Sequence, residues 1–302
     1  MNSVLPRVTG LLVIEARNSN PNGDPDRESD PRTRAHDGRG IISDVSFKRK
    51  LRELVLQKEG PVWEHLRKLM SLSDDSYGVH VDQSARNLEK ASKKEGEKKS
   101  LSERYWDVRA FGSTSLEEGD NFIRTGVAQF SLGVSAAKVR IQRDTNTVKA
   151  NVDASKNADR GMAPLGFRVV EHGVYAMPFL INPSAAGKSG CTIDDIELIC
   201  RLIPYAYPHN ASRIRPLVEV RHAWYFEHSS SLGSCSEFEI IDALTPRKPD
   251  PKEPSSEWGD YAYDGEKVLD ELKKRFAGRF KHFGDLCDPS FVEQVFPRQA
   301  HD

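Results

Sequence analysis

The sequence predicts an α+β fold in which one antiparallel sheet is backed by two helices. Three observations predict it. Apolar, β-prone runs of strand length recur at Val8 to Ala16, Phe167 to Ile181 and Val218 to Phe226. Two amphipathic helical stripes separate them, one starting at Ser43 and one at Thr192. The order along the chain is β-α-β-β-(loop)-β-α-β, with no internal repeat.

The elements follow in order. Val8 to Ala16 (VTGLLVIEA) is the first strand, and Asn18 to Gly40 is a turn-rich segment of Asn, Pro, Gly, Asp and Arg that disfavours a helix or a buried strand. In the next helix Phe47, Leu51, Leu54 and Val55 fall at i, i+4, i+7 and i+8, with Ser43 as N-cap and Asp44 in the first turn. Residues 60 to 104 read as an insertion that opens with a helix near Val62 to Leu69 and contains the solvated run Lys90 to Lys99. Tyr105 to Phe111 and Gly126 to Val134 read as strands. Arg143 to Gly166 is polar and lacks apolar periodicity, and a loop of that length in a compact domain usually has a function. After Phe167 to Ile181, Thr192-x-x-Asp195 is a capping box ahead of the stripe Ile193, Ile196, Ile199 and Ile203. Val218 to Phe226 and a short Phe238 to Ile241 are further strands, Pro246 to Asp260 is a Pro- and charge-rich linker, and Glu266 to Phe276 is a final helix. This succession is of the ferredoxin or RNA-recognition type.

The length of 302 residues, 37% hydrophobic, suits one large domain with insertions, or at most two domains, and is enough to bury a sizeable core. The four cysteines (Cys191, Cys200, Cys235, Cys287) form no CxxC pair and no zinc spacing, which implies structural thiols in a reducing cytoplasm. The start of the chain, with Pro6 and Arg7, carries no signal-peptide pattern, and no run approaches about 18 apolar residues, so a soluble intracellular protein without membrane contact is expected. A net charge of −1 is unlike a uniformly basic nucleic-acid binder, but leaves room for local basic surfaces.

Gly187-Lys188-Ser189 fails as a phosphate loop because position 182 is Asn182. The nine histidines include no HxxxH or HExxH pair, and His222 and His228 flank an aromatic strand as ordinary packing residues do. Asp24, Asp26, Glu28 and Asp30 could hold a divalent metal, but the interleaved Arg27, Arg32 and Arg34 favour ion pairs and a folded loop. Lys48, Arg49 and Arg52 crowd the helix beside an Asn-rich loop, where clustered cations and helix amides suit phosphates; a solvated helix face explains them equally well. Arg213 and Arg215 beside Ser212, and Lys138, Arg140 and Arg143, are two further basic spots, and together the three form the footprint of a groove that tracks a phosphate backbone.

The segment NSNPNGDPDRESDPRTRAHDGRGIISDVSFKRKLR, Asn18 to Arg52, resembles the signature of the Cas-seven backbone subunits of type I CRISPR Cascade complexes. Asp107-Val108-Arg109-Ala110-Phe111-Gly112, Ile141-Gln142-Arg143 and Ser212 with Arg215 in NASRIRP are similar to further blocks of that family, and the resemblance, running from about residue 8 to 245, is closest to subtype I-C. It implies a palm (8–58 and 105–245) with an RNA-recognition-type sheet, helical fingers (60–104), a thumb hairpin (143–166) and a C-terminal extension (246–302). It further implies a non-catalytic subunit without cofactor, stacked in copies along CRISPR RNA with other Cascade subunits and presenting the guide to a target DNA strand. Lys48, Arg49 and Arg52 would hold guide phosphates, Asn20 and Asn22 would bond the guide from the loop, and Arg109, Arg143, Ser212 and Arg215 would line the groove. Leu165-Gly166-Phe167-Arg168 departs from the family's Met-Gly block, so the base wedge is Leu165 or Met162. The competing expectation is a metal-dependent endonuclease of target RNA, as in type III backbone subunits, using Asp24 or Asp26. A guide-processing nuclease would have only His36 near the basic helix.

Overall fold

The computed structural model describes residues 5–80, 100–115, 122–149 and 162–298. β1 (Val8–Ser19) is the apolar run read from the sequence, extended to the edge of the Asn-rich segment. It lies between β10 (Met162–Ile181) and β11 (Val218–His228), antiparallel to both. The main sheet runs β12 (Phe280–Asp285), β11, β1, β10, β8 (Gly133–Lys138), β4 (Arg39–Ile42). β7 (Ala128–Phe130) and β9 (Ile141–Lys149) pair with other stretches of β10. Two small ladders complete the set: β2 (Gly23–Asp24) with β3 (Asp30–Pro31), and β5 (Gly112–Ser115) with β6 (Phe122–Thr125).

On one face lies α1 (Asp44–Leu56), whose N-cap is Ser43: its Oγ accepts from the Ser46 amide at 3.2 Å. The predicted stripe Phe47, Leu51, Leu54 and Val55 is buried. Phe47 meets Phe130 at 5.1 Å between ring centroids, and Phe130 stacks on Phe179. β1 makes room for that stack at Gly10, where a Cβ would sit 2.1 Å from the Phe179 ring. The same core takes up α2 (Pro61–Met70), through Trp63 and Leu66. α3 (Leu101–Arg104), α4 (Trp106–Phe111) and α5 (Ala186–Ser189) follow in the chain. α6 (Ile193–Leu202) carries the predicted Thr192–Asp195 capping box and buries Ile196, Leu198 and Ile199.

Three elements differ from the sequence expectation. Tyr105 to Phe111, expected as a strand, is mostly helix: Trp106, Val108 and Phe111 are β-prone, but packing decides, and Gly112 ends the helix at φ 84°. Phe238 to Ile241 lies in α7 (Glu237–Leu244), because the buried pair Ile240 and Leu244 has helical spacing while Phe238 stays exposed. The polar stretch 143–166 is strand at both ends, paired in register from Ile141↔Val170 to Lys149↔Met162. The solvated run Lys90 to Lys99 lies outside the described residues.

The C-terminal part is woven into the same sheet: β12 pairs with β11, and α9 (Pro289–Val295) packs Phe291 and Val292 into the first core. The second face of the sheet is covered as well. Leu11, Val13, Val174, Trp224 and Phe226 bury under α7 and α8 (Gly265–Arg275), through Ile240, Leu244, Leu272 and Phe276. Residues 246–262 cross that face as a strap. Lys138 N donates to Pro251 O at 2.9 Å, and Ser255 Oγ lies 2.8 Å from His172 Nδ1. The other ring nitrogen of His172 is 3.0 Å from Glu15 Oε1 and donates to that carboxylate, so the ring bridges the strap and β1. Burial would raise the Glu15 carboxyl, but hydrogen bonds from His172 and Arg17 and the Arg17 charge outweigh it and hold it at about 2. The four cysteines are unpaired, and burial raises all four thiols. Among the described residues no helix is long and apolar enough to cross a membrane.

Candidate nucleic-acid interface

The Asn-rich segment leaves the end of β1 and returns to the start of α1, and its asparagines build it from inside. Asn20 is fully buried; its Nδ2 donates to Ser29 O at 2.8 Å and closes the loop. Asn22 Oδ1 accepts the Ser43 amide at 2.7 Å, tying the loop to the helix N-terminus, and its Nδ2 donates to Gly23 O. Asn20 and Asn22, expected to bond the guide from the loop, use these groups to hold the loop in shape.

A second segment docks on this one. Asn20 N donates to Ile214 O at 2.7 Å, and Arg215 Nε donates to Asn20 O at 2.8 Å. Ser212 and Arg215 exchange backbone hydrogen bonds in a tight turn, which leaves Arg213 exposed at its tip. Asn210 Nδ2 reaches Lys50 O at 3.1 Å and fastens the same segment to α1. Asn20, Asn22, Arg49, Ser212 and Arg215, distant in sequence, therefore share one edge of the molecule.

The electrostatics of that edge are unbalanced. Arg49, 75% exposed, and the buried Lys50 both bond Glu53, at 2.8 and 2.9 Å. Burial pushes Arg215 below its ordinary range; Tyr207 and Glu53 oppose the shift, and Arg49 adds to it. Burial likewise lowers Lys50, against the pull of Glu53. Arg49 and Lys50 thus share a single carboxylate, and Arg215, bonded to Asn20 O, has no carboxylate within ion-pair distance among the described residues; a bound phosphate would supply the missing anion.

The other predicted cations fall elsewhere. Lys48 is only 11% exposed, bonds Asp44 at 3.0 Å and lies over the Phe111 ring. Arg52 donates to Asp107 at 2.9 Å; Asp107 is buried and accepts the His80 amide with its other oxygen. Arg109 is buried, grips both oxygens of Asp195 at 2.7 and 2.9 Å, and donates to Ser76 O and Ser102 O. Arg52, expected to hold guide phosphates, is thus half-buried in an ion pair with Asp107, and Arg109, expected to line the groove, spends its donors inside the protein.

On the far wall of the loop, Arg143 and Arg168 are register partners at the base of the β9–β10 hairpin. Arg143 pairs with Asp30 at 2.7 Å, and Arg168 donates to Glu28 O and pairs with the Glu28 carboxylate. Arg168 was not singled out in the sequence; its signal is the period-two alignment with Arg143 once the hairpin is recognised. Lys50 was legible only as the last residue of Lys-Arg-Lys. Asp24 accepts the Asp26 amide at 3.3 Å and pairs with Arg32 at 3.3 Å. Among the described residues no three His, Cys, Asp or Glu side chains converge as a metal site. Met162 and Leu165 stand in β10 opposite Lys149 and Asn146, and their side chains lie outside the described residues.

The comparisons with known proteins meet this geometry. The family model of the CRISPR-associated protein Cas7 matches residues 6–266. The chain belongs to the Cas7 family. The match reaches past residue 245 into the strap and the first turn of α8. No curated protein matches the chain. Among solved structures, a chain of a CRISPR RNA-guided surveillance complex, pre-nicking, is 14% identical over 89% of this chain and 89% of its own, with a TM-score of 0.46. A chain of another CRISPR RNA-guided surveillance complex is 13% identical over 96% and 86%, with a TM-score of 0.42. A chain of a Type III-B Cmr-beta complex bound to cognate target RNA is 13% identical over 74% and 61%, with a TM-score of 0.40.

Proposed function

We propose that this Cas7 protein is the CRISPR RNA-binding backbone subunit of a type I Cascade of the I-C kind, non-catalytic, with copies stacked along the guide beside other Cascade subunits. The observation that carries the reading is the pairing of Arg49 and Lys50 with the one carboxylate of Glu53, beside Arg215 on Asn20 O and a loop held in shape by Asn20 and Asn22. A phosphate backbone fits such a deficit of negative charge, and a rigid loop lowers the entropy cost of holding it.

The strand order β11-β1-β10-β8, with α1 and α6 on one face, supports an RNA-recognition-type palm. Here the opposite face of the sheet is covered by α7, α8 and the strap, so bases do not stack on the sheet itself. The guide instead follows the loop edge, past Arg49 and the Ser212–Arg215 turn toward Arg143 and Arg168. The β9–β10 hairpin is the thumb of this reading, residues 60–104 are its fingers, and Met162 or Leu165 is its wedge. The target DNA strand then pairs with the guide that the copies present.

The test uses the chain co-expressed with a CRISPR array. Arg49→Ala with Arg213→Ala removes two exposed cations and no buried contact. Guide affinity is expected to fall for every guide sequence, and the slope of log affinity against log salt to become shallower by about 1.4 to 1.8 if both touch phosphate. Unchanged binding by a folded double variant sinks the assignment. Magnesium-dependent cleavage of complementary RNA by the parent, abolished by Asp24→Asn or Asp26→Asn, would replace the scaffold by an endonuclease.

A further inference from the structure

At the other end of β1 from the guide edge, roughly 36 Å away by strand rise, the chain builds a second, unrelated surface. The loop after β11 is firmly held. Ser234 N donates to His228 Nδ1 at 3.1 Å, and the other ring nitrogen of His228 bonds Thr9 Oγ1 at 2.9 Å. Arg279 closes the loop from the far side: its carbonyl accepts from Ser229 N at 3.1 Å and from the Ser234 hydroxyl. On this support the two most exposed large apolar side chains among the described residues point outward, Leu232 at 90% and Phe238 at 78% exposure. They border a groove of about 450 Å³ that Arg7, Gly233, Cys235 and Glu237 also line.

The groove is short of acceptors. Arg7 Nη2 pairs with Glu237 at 2.6 Å, but Arg7 Nε is buried without a partner. Gly233 faces that nitrogen, and a Cβ there would sit 3.4 Å from it. Arg279 reaches the groove wall, its Nη1 donating to Ser234 O at 3.2 Å, and it belongs to a basic run in which Lys273, Lys274, Arg275, Arg279 and Lys281 fall within nine residues, all exposed. Arg275 leans on Glu239 at 3.5 Å and Lys281 on Glu227 at 3.1 Å; Asp270 and Glu271 lie one turn earlier on α8. Among the described residues no carboxylate pairs with Lys273, Lys274 or Arg279.

We infer that this groove docks an acidic segment of a partner protein, which inserts an apolar side chain between Leu232 and Phe238 and sets a carboxylate against Arg7 and the basic run that Arg279 brings to it. Charge complementarity selects the acid; Phe238 alone could stack on a base, but the more exposed Leu232 has no π-face, and a patch led by an aliphatic side chain favours protein over nucleic acid. The inference rests on this pole alone and is independent of the guide-binding reading.

The test replaces Leu232 with the photo-crosslinker p-benzoylphenylalanine in the full chain expressed in cells and maps the crosslinked product by mass spectrometry. The expected product joins the loop to a polypeptide segment with Asp or Glu within about four residues of an apolar residue. Its yield is expected to fall at least fivefold when Lys273→Glu, Lys274→Glu and Arg279→Glu are combined, and at least fivefold with Phe238→Ser; these side chains are exposed, and a thermal melt matching the parent checks the fold. A crosslink to RNA or DNA, a crosslink to a segment without carboxylates, no crosslink, or a yield unchanged by both variants overturns the inference.

Discussion

Arg109→Ala separates a structural arginine from a guide-binding one. Arg109 is buried, and its guanidinium holds both oxygens of Asp195, which is itself fully buried. Removing one partner of such a pair leaves an unpaired buried charge, a loss of about 3–5 kcal/mol. Two carbonyls, Ser76 O and Ser102 O, lose their charged donor as well, at about 1 kcal/mol each. The total approaches the whole stability of a typical domain, about 5–15 kcal/mol. Urea unfolding of the purified chain should show that loss directly, or the variant should fail to accumulate folded. Asp195→Leu with Arg109→Met should recover much of it, since an apolar pair of similar volume removes the stranded charge; the Thr192 cap that Asp195 also serves stays lost. An Arg109→Ala chain within about 1 kcal/mol of the parent that binds guide RNA poorly would refute the assignment and return Arg109 to the groove.

Burial, helped by the Arg7 charge, keeps the His228 imidazole below its ordinary 6.5, so the folded state resists a proton that the unfolded chain accepts. Stability should therefore be complete above pH 6.5 and decline as pH falls below it; a parent whose urea midpoint shifts no more than that of His228→Gln between pH 7.5 and 5.5 would contradict this. Glu15, held at about 2 against an ordinary 4.5, contributes about 3 kcal/mol at neutral pH by that difference. The contribution disappears as pH falls from about 4.5 to 2, and Glu15→Gln should flatten that part of the acid unfolding curve. Ending the chain at residue 245 uncovers Leu11, Val13, Val174, Trp224 and Phe226 and removes β12; the fragment should be insoluble, and a soluble fragment with the parent's circular dichroism would show that residues 246–302 are a separable extension.

The local grammar of the chain was readable where one element decides its own fate. The Ser43 cap, the Phe47 stripe and the Thr192 box depend on residues within two turns of each other, and they sit where periodicity places them. The site was readable only in part, because its deciding contacts are non-local. Arg52 and Asp107 are 55 residues apart, Arg109 and Asp195 are 86 apart, and nothing in their spacing tells a buried pair from two exposed charges. Arg49 and Arg52 look alike in sequence, three positions apart on one helix. The turn of the helix sends one to solvent and the other onto Asp107. Tyr105 to Phe111 misled for a related reason: its aromatic and β-branched residues favour a strand locally, and the docking of Trp106 on Asp195 O overrides them.

β10 has a mechanical consequence. Its residues from Tyr175 to Ile181 are flanked by β1 on one side and β7 or β8 on the other for most of their length, whereas its rungs from Met162 to Arg168 are paired with β9 alone. One continuous backbone thus passes from a clamped region to a cantilever, with the crossing near Val170, where β1 and β9 both contact it. A load applied to the hairpin is carried along stiff covalent backbone into the centre of the sheet. Amide exchange along this single strand should accordingly fall by orders of magnitude from residue 162 to residue 177, a gradient set by how the strand is anchored.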